Sequence, residues 1–143
     1  MVKRTSFQGD DCPIARSLDA LGDWWSFLII REALFGVSRF GEFQKKLGLA
    51  KNILAARLRT LVDQGILATA PASDGSAYQE YLLTPKGRGV FPILVALRQW
   101  SEEFDDRPEE MLGRACLLLE AVLGLLERMG DSWIDGVGDL GPG

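Results

Sequence analysis

The chain has 143 residues, is 47% hydrophobic and 25% charged, and carries a net charge of −4, the size and balance of one ordinary globular domain. That excludes a disordered acidic tail, a collagen-like fibre and a low-complexity linker, and no apolar run reaches the ~18 residues of a spanning helix. Two cysteines and no histidine exclude a disulfide framework, a four-ligand zinc site and Ser-His or Cys-His catalysis, so no enzyme, metal or cofactor is expected.

Residues 1–10 read as an N-terminal arm. They lead into Asp10 and Asp11 instead of an apolar stretch, so a signal peptide is not expected and the chain is placed in the cytoplasm. Asp11 as N-cap and Pro13 in the first turn open a helix whose Ile14, Leu18 and Leu21 share one face; Gly22-Asp23 ends it. A second helix, over about 24–35, is apolar almost all round (Trp25, Phe27, Leu28, Ile29, Ile30, Leu34), the pattern of a central buried helix. Ser38 is the candidate N-cap of a short helix with Phe40, Phe43 and Leu47, stopped by Gly48.

After a two-residue turn a fourth helix starts near Lys51. Leu54, Leu58, Leu61 and Val62 lie on one side of it, Asn52, Ala55, Ala56, Arg59 and Asp63 on the other. Beyond Gly65 the period changes: 66–70 and 78–83 read as strands around Asp74-Gly75, a hairpin-turn signal. Thr84-Pro85 starts a helix that runs to 104, with Pro92 kinking it or marking a short break. A linker at 105–108 leads to a leucine-rich helix over about 109–130, which contains Cys116, and a Gly- and Pro-rich tail; 105–143 is an acidic extension with a net charge of −6.

Three helices, the last two joined by a short turn, and then a hairpin describe a mainly α winged helix-turn-helix over 11–104 with an added C-terminal helix. A helix fits the major groove of B-DNA, and the helix before it crosses the backbone and sets the angle of entry. The second helix of the pair buries its leucines and offers small or polar residues outward, so Ala55 and Ala56 permit close approach to base edges. Residues 36–64 carry a net +4, and phosphates sense charge only within roughly 8–10 Å at physiological salt, so the acidic average does not exclude double-stranded DNA. Lys51 and Asn52, in the first turn, are placed to read bases. For Asn52 helix capping is the alternative. Arg59 is assigned to phosphate, and Arg39, Lys45 and Lys46, flanking the supporting helix, to backbone contacts that carry no sequence information.

The stretches Cys12-Pro-Ile-Ala-Arg-Ser-Leu-Asp, Gly22-Asp-Trp-Trp-Ser-Phe-Leu-Ile-Ile-Arg-Glu, Arg39-Phe-Gly-Glu-Phe-Gln, Asn52-Ile-Leu-Ala-Ala-Arg-Leu-Arg-Thr-Leu, Gly65-Ile-Leu and Tyr81-Leu-Leu-Thr-Pro-Lys-Gly-Arg, in this order and spacing, resemble the HxlR-type winged helix-turn-helix transcription regulators. The resemblance covers about 11–104. It implies a homodimer that binds a roughly palindromic operator, with the first and post-wing helices at the interface. Two departures stand out: many members have Ser or Thr where this chain has Ala55, and members tend to have arginine in the wing, whereas 70–79 holds no basic residue. Arg88 is the candidate to replace that wing anchor. Arg57 occupies the family's arginine position and either contacts DNA or locks its helix against Glu42 or another acid.

Some members sense oxidants through a cysteine at the position of Cys12. A helix N-terminus favours the thiolate there, while Asp10 and Asp11 oppose it, and a small buried hydrophobe is the alternative. Trp24, Trp25, Phe91 and Trp100, with Phe104, suggest a pocket for a small-molecule effector, though aromatic residues at helical spacing more often make a core or a dimer seam. The expectation is a DNA-binding regulator, a repressor since occupying a promoter needs no surface for polymerase. The alternative is a winged-helix protein-interaction module without DNA binding. No membrane partner is expected.

Overall fold

Among the described residues, six helices and one antiparallel hairpin follow in the order α1 (Pro13–Leu21), α2 (Trp24–Leu34), α3 (Phe40–Leu47), α4 (Lys51–Asp63), β1 (Leu67–Pro71), β2 (Gln79–Leu83), α5 (Pro85–Arg88) and α6 (Phe91–Phe104). This is a winged helix-turn-helix. The structure, a computed structural model, describes residues 6–104. The helix expected over 109–130, Cys116 and the tail lie outside the described residues. Contacts within the chain divide it into two compact units, Met1–Leu94 and Val95–Gly143, the second described only as far as 104.

The core of the first unit forms around α2. Ile29 and Ile30 meet Phe43 of α3, Leu54, Leu58 and Leu61 of α4, and Ile66 and Leu67 at the start of the hairpin, all fully buried. Each such side chain contributes about 1.5–3 kcal/mol by leaving water. Trp25 and Phe27, around the sides of α2, are half-buried against the same cluster. The leucine side of α4 is thereby fixed inward, and its opposite side outward.

Local chemistry sets the helix starts, in two places differently from expectation. The N-cap of α1 is Cys12, not Asp11. Asp10 reaches over to accept the Cys12 N–H at 2.8 Å, and Arg16 holds the carbonyls of Asp10 and Asp11, which leaves Asp11 no capping role. The N-cap of α3 is Arg39, not Ser38. Ser38 is held by the sheet, its carbonyl accepting the Tyr81 N–H at 2.7 Å, and the helix start is closed by Glu42, which accepts the Arg39 N–H at 3.2 Å. Asp23 caps α2 through the Ser26 N–H at 3.0 Å.

In the wing Leu67 pairs with Leu83 and Pro71 with Gln79, and an isolated bridge from Arg39 to Glu80 lays the approach to α3 along the other edge of β2. The loop 72–78 turns through Ala72–Gly75, where the Gly75 N–H donates to the Ala72 carbonyl and Gly75 takes φ 74°, a conformation that favours glycine.

Of the two readings of Pro92 in the helix expected from Pro85 to 104, a kink or a short break, the structure shows the break. Thr84 accepts the Gly87 N–H and caps the four-residue α5, which ends at Gly89; α6 starts at Phe91 with Pro92 in its first turn. Pro92 has no N–H to continue a ladder from α5, but a first turn leaves that donor unused, so the chain breaks before the proline and restarts around it.

Candidate nucleic-acid interface

α4 follows α3 after Gly48–Ala50, where Gly48 adopts φ 66°. Its N-cap is Ala50, whose methyl cannot cap, so Asn52 sits inside the first turn with its amide free of any described capping bond. Lys51, Asn52, Ala56 and Arg59 are exposed and Ala55 is half-buried. Lys51, Asn52, Arg59 and, on α3, the exposed Lys45 carry no ion pair among the described residues. They are exposed, uncommitted donors on the two helices of the helix-turn-helix.

The other cations are engaged. Arg57 lies 2.6 Å from Asp23, the residue that also caps α2, so the guanidinium locks α4 to the start of the central helix; the acid is Asp23 and not Glu42. Lys46 lies 3.6 Å from the buried Glu32, whose carboxylate is shared with Arg31 at 2.7 Å. Arg39 joins two acids of the wing, Asp74 at 2.6 Å and Glu80 at 3.6 Å, and Glu80 also accepts from the Ser73 N–H and hydroxyl. The wing is therefore clamped to the start of α3 by a cation from the helix and carboxylates from the hairpin. Arg88, the candidate substitute anchor, donates to the Leu83 carbonyl at 3.3 Å, at the wing's base.

The Arg39 guanidinium, with the Ser76 N–H behind it, holds the Asp74 carboxyl far below the usual carboxylate range, and Asp74 in turn raises the Arg39 pKa. Because the folded-state pKa is depressed, the clamp is in place above the ordinary aspartate pKa and is lost only as pH falls well below it. The Ser76 amide, which donates to this carboxylate at 3.0 Å, should keep its proton chemical shift from pH 7 down to pH 4, where an unperturbed aspartate is about half protonated. A midpoint near 3.9 for that amide would show the clamp absent in solution.

Trp24, Trp25, Phe91 and Trp100, the aromatic residues expected to line a pocket, differ in exposure. Trp24 is 72% exposed at the start of α2, Trp25 packs on the core and Phe91 is buried. Trp100 is exposed in the second unit, its ring 5.7 Å from Phe104. Cys12 is a free thiol, exposed on this protomer at the N-cap of α1. The residues missed from the sequence are Asp23, Glu32, Asp74 and Glu80, the acids that set which cations stay available. Their partners lie in distant parts of the chain, and no local spacing signals them.

A family model for HxlR-like helix-turn-helix proteins matches residues 20–109. Over 103 residues the chain is 42% identical to Rv3095 of Mycobacterium tuberculosis, named an HTH-type transcriptional regulator; the match covers 72% of this chain and 64% of that relative's length. The crystal structure of PA1607 superposes with a TM-score of 0.68 at 59% identity, over 73% of each chain. The redox regulator HypR in its oxidized form matches with a TM-score of 0.59 at 29% identity, over 67% of this chain and all of that one. On this fold and these matches, the chain belongs to the HxlR-like helix-turn-helix family.

Proposed function

We propose that the chain is a sequence-specific DNA-binding transcription regulator that acts as a homodimer on a palindromic operator, as a repressor, through the domain spanning 11–104. The observation that carries this reading is the outer side of α4: Lys51, Asn52, Ala56 and Arg59 exposed and uncommitted above a leucine face that is fully buried. Lys51 and Asn52 read bases at the leading edge; Arg59 and Lys45 bind phosphate; Ala55 and Ala56 let the backbone approach. Arg57, Arg39 and Lys46 contribute by fixing the helices, since each already has an acid.

A mobility shift on the chain's own promoter at several salt concentrations tests the reading. Binding that weakens steeply with salt supports it, and no binding at low salt favours the interaction-module alternative. Arg59→Ala should weaken all sequences alike and reduce the slope of log affinity against log salt by about 0.9. Asn52→Ala should lose about 1–3 kcal/mol of discrimination at one base-pair position. An unchanged sequence preference in Asn52→Ala removes that residue from base reading.

The homodimer is supported by two sets of exposed apolar residues. Ile14 (71%) and Leu18 are exposed on α1, as are Leu97, Trp100 and Phe104 on α6. Such residues are costly to leave in water, and a second copy supplies their match by symmetry.

A redox response through Cys12 is a second reading, favoured by the exposure of this thiol at the N-cap of α1 and by the match to HypR, itself a redox regulator. Diamide should release the wild-type protein from its operator but leave Cys12→Ser bound; release of both variants alike assigns the effect elsewhere.

A further inference from the structure

An open cleft of about 860 Å³ lies between the start of α3 and the wing loop, walled by the rings of Phe40, Tyr78 and Tyr81. Tyr78 is 72% exposed, a large ring left in water at the cleft's edge. The charged groups around it are unequal. Glu42 is occupied by the N–H groups of Ser38 and Arg39, and Arg39 by Asp74 and Glu80. Lys45 is the lining cation with no ion pair among the described residues.

We propose that this cleft binds a small aromatic carboxylate, its ring against Tyr78 and Phe40 and its carboxylate on the Lys45 ammonium. The charge pattern selects the sign: an anion finds an uncommitted ammonium, whereas a cation finds only carboxylates already engaged. Aromatic walls select a flat apolar body, since ring pairs contribute beyond the area they bury. The Arg39–Asp74 clamp holds the wing side of the cleft in place, so little ordering opposes binding. The consequence for DNA rests on the function proposed above. Lys45 is one of the cations offered to phosphate, and a bound carboxylate neutralises it while the ring wedges against the wing, so the ligand weakens operator binding.

The test uses benzoate as probe on the full chain without DNA, read by amide NMR. Shifts should saturate with a Kd on the order of a millimolar, in the range open to so small a ligand, and concentrate at Phe40, Lys45, Tyr78 and Tyr81. Benzylamine, the same ring with the opposite charge, should leave them unmoved. Tyr78→Ala and Lys45→Gln, both at exposed positions where the fold tolerates change, should each raise the Kd about tenfold. Shifts confined to α1 and α6, no saturation, or equal binding of benzylamine overturns the proposal, whatever the outcome of the DNA experiments. Where operator binding is established, benzoate should weaken it in the wild type and leave Tyr78→Ala unaffected; site occupancy with unchanged operator affinity removes the regulatory part alone.

Discussion

Gly87→Ala is expected to lower stability by about 3 kcal/mol, or on the order of 10 °C in melting temperature, the upper end of what overpacking costs. A methyl at this position would overlap the backbone carbonyl oxygen of Ile66 and come within 2.9 Å of Leu83 Cδ2. A flexible side chain could swing aside; the Ile66 carbonyl cannot. It is held in place by the Thr84 N–H at 3.1 Å, and Lys86 reaches the neighbouring Gln64 carbonyl at 2.6 Å. α5 is thus pressed onto the segment that joins α4 to the wing, and glycine is the residue thin enough for that approach. Gly41→Ala, inside α3 with open space around the new methyl, is the control and should hold or slightly raise the melting temperature, because alanine is the better helix former. Equal melting of the two variants would falsify the close approach.

Asp23→Ala is expected to cost about 2 kcal/mol, roughly half from the lost cap of α2 and half from the lost ion pair to Arg57. Both partners keep some exposure, so the larger losses of fully buried pairs do not apply. Arg57→Ala should recover only the ion-pair share, and the double variant should lose no more than Asp23→Ala alone, since both changes break the same link. On DNA the two single variants should weaken binding to every sequence while leaving base preference intact, because they loosen the seat of α4 and not its reading edge. Denaturant titrations and competition binding measure both effects. A change of preferred base in Arg57→Ala would move this residue from seat to groove.

The elements of the fold were legible where local rules act alone. The leucine spacing of α4, the change of period after Gly65 and the cap at Thr84 are short-range signals, and the structure follows them. The start of α3 was misplaced by one residue because Ser38 is a good cap by type, while the sheet needs its carbonyl for Tyr81. Between the kink and the break that Pro92 allows after the wing, long-range packing decides: the close approach of Gly87 to Ile66 fixes α5, and Pro92 then suits a fresh start. At the interface, exposure of Lys51, Asn52 and Arg59 followed from helical periodicity. Which of six cations remain available did not, because that depends on Asp23, Glu32, Asp74 and Glu80 arriving from other elements. Ion pairing between distant segments leaves no trace in local spacing.

A hairpin whose tip presents a carboxylate and no guanidinium has a consequence for the shape of a target site. Narrow minor grooves at A-tracts attract inserted arginines and so let a protein sense flanking sequence it never touches chemically. With Asp74 at the loop and no basic residue across 70–79, the wing loop brings no arginine of its own for such sensing. Under the function proposed above, the wing loop should therefore add no preference for A·T-rich flanks to the sites the chain selects.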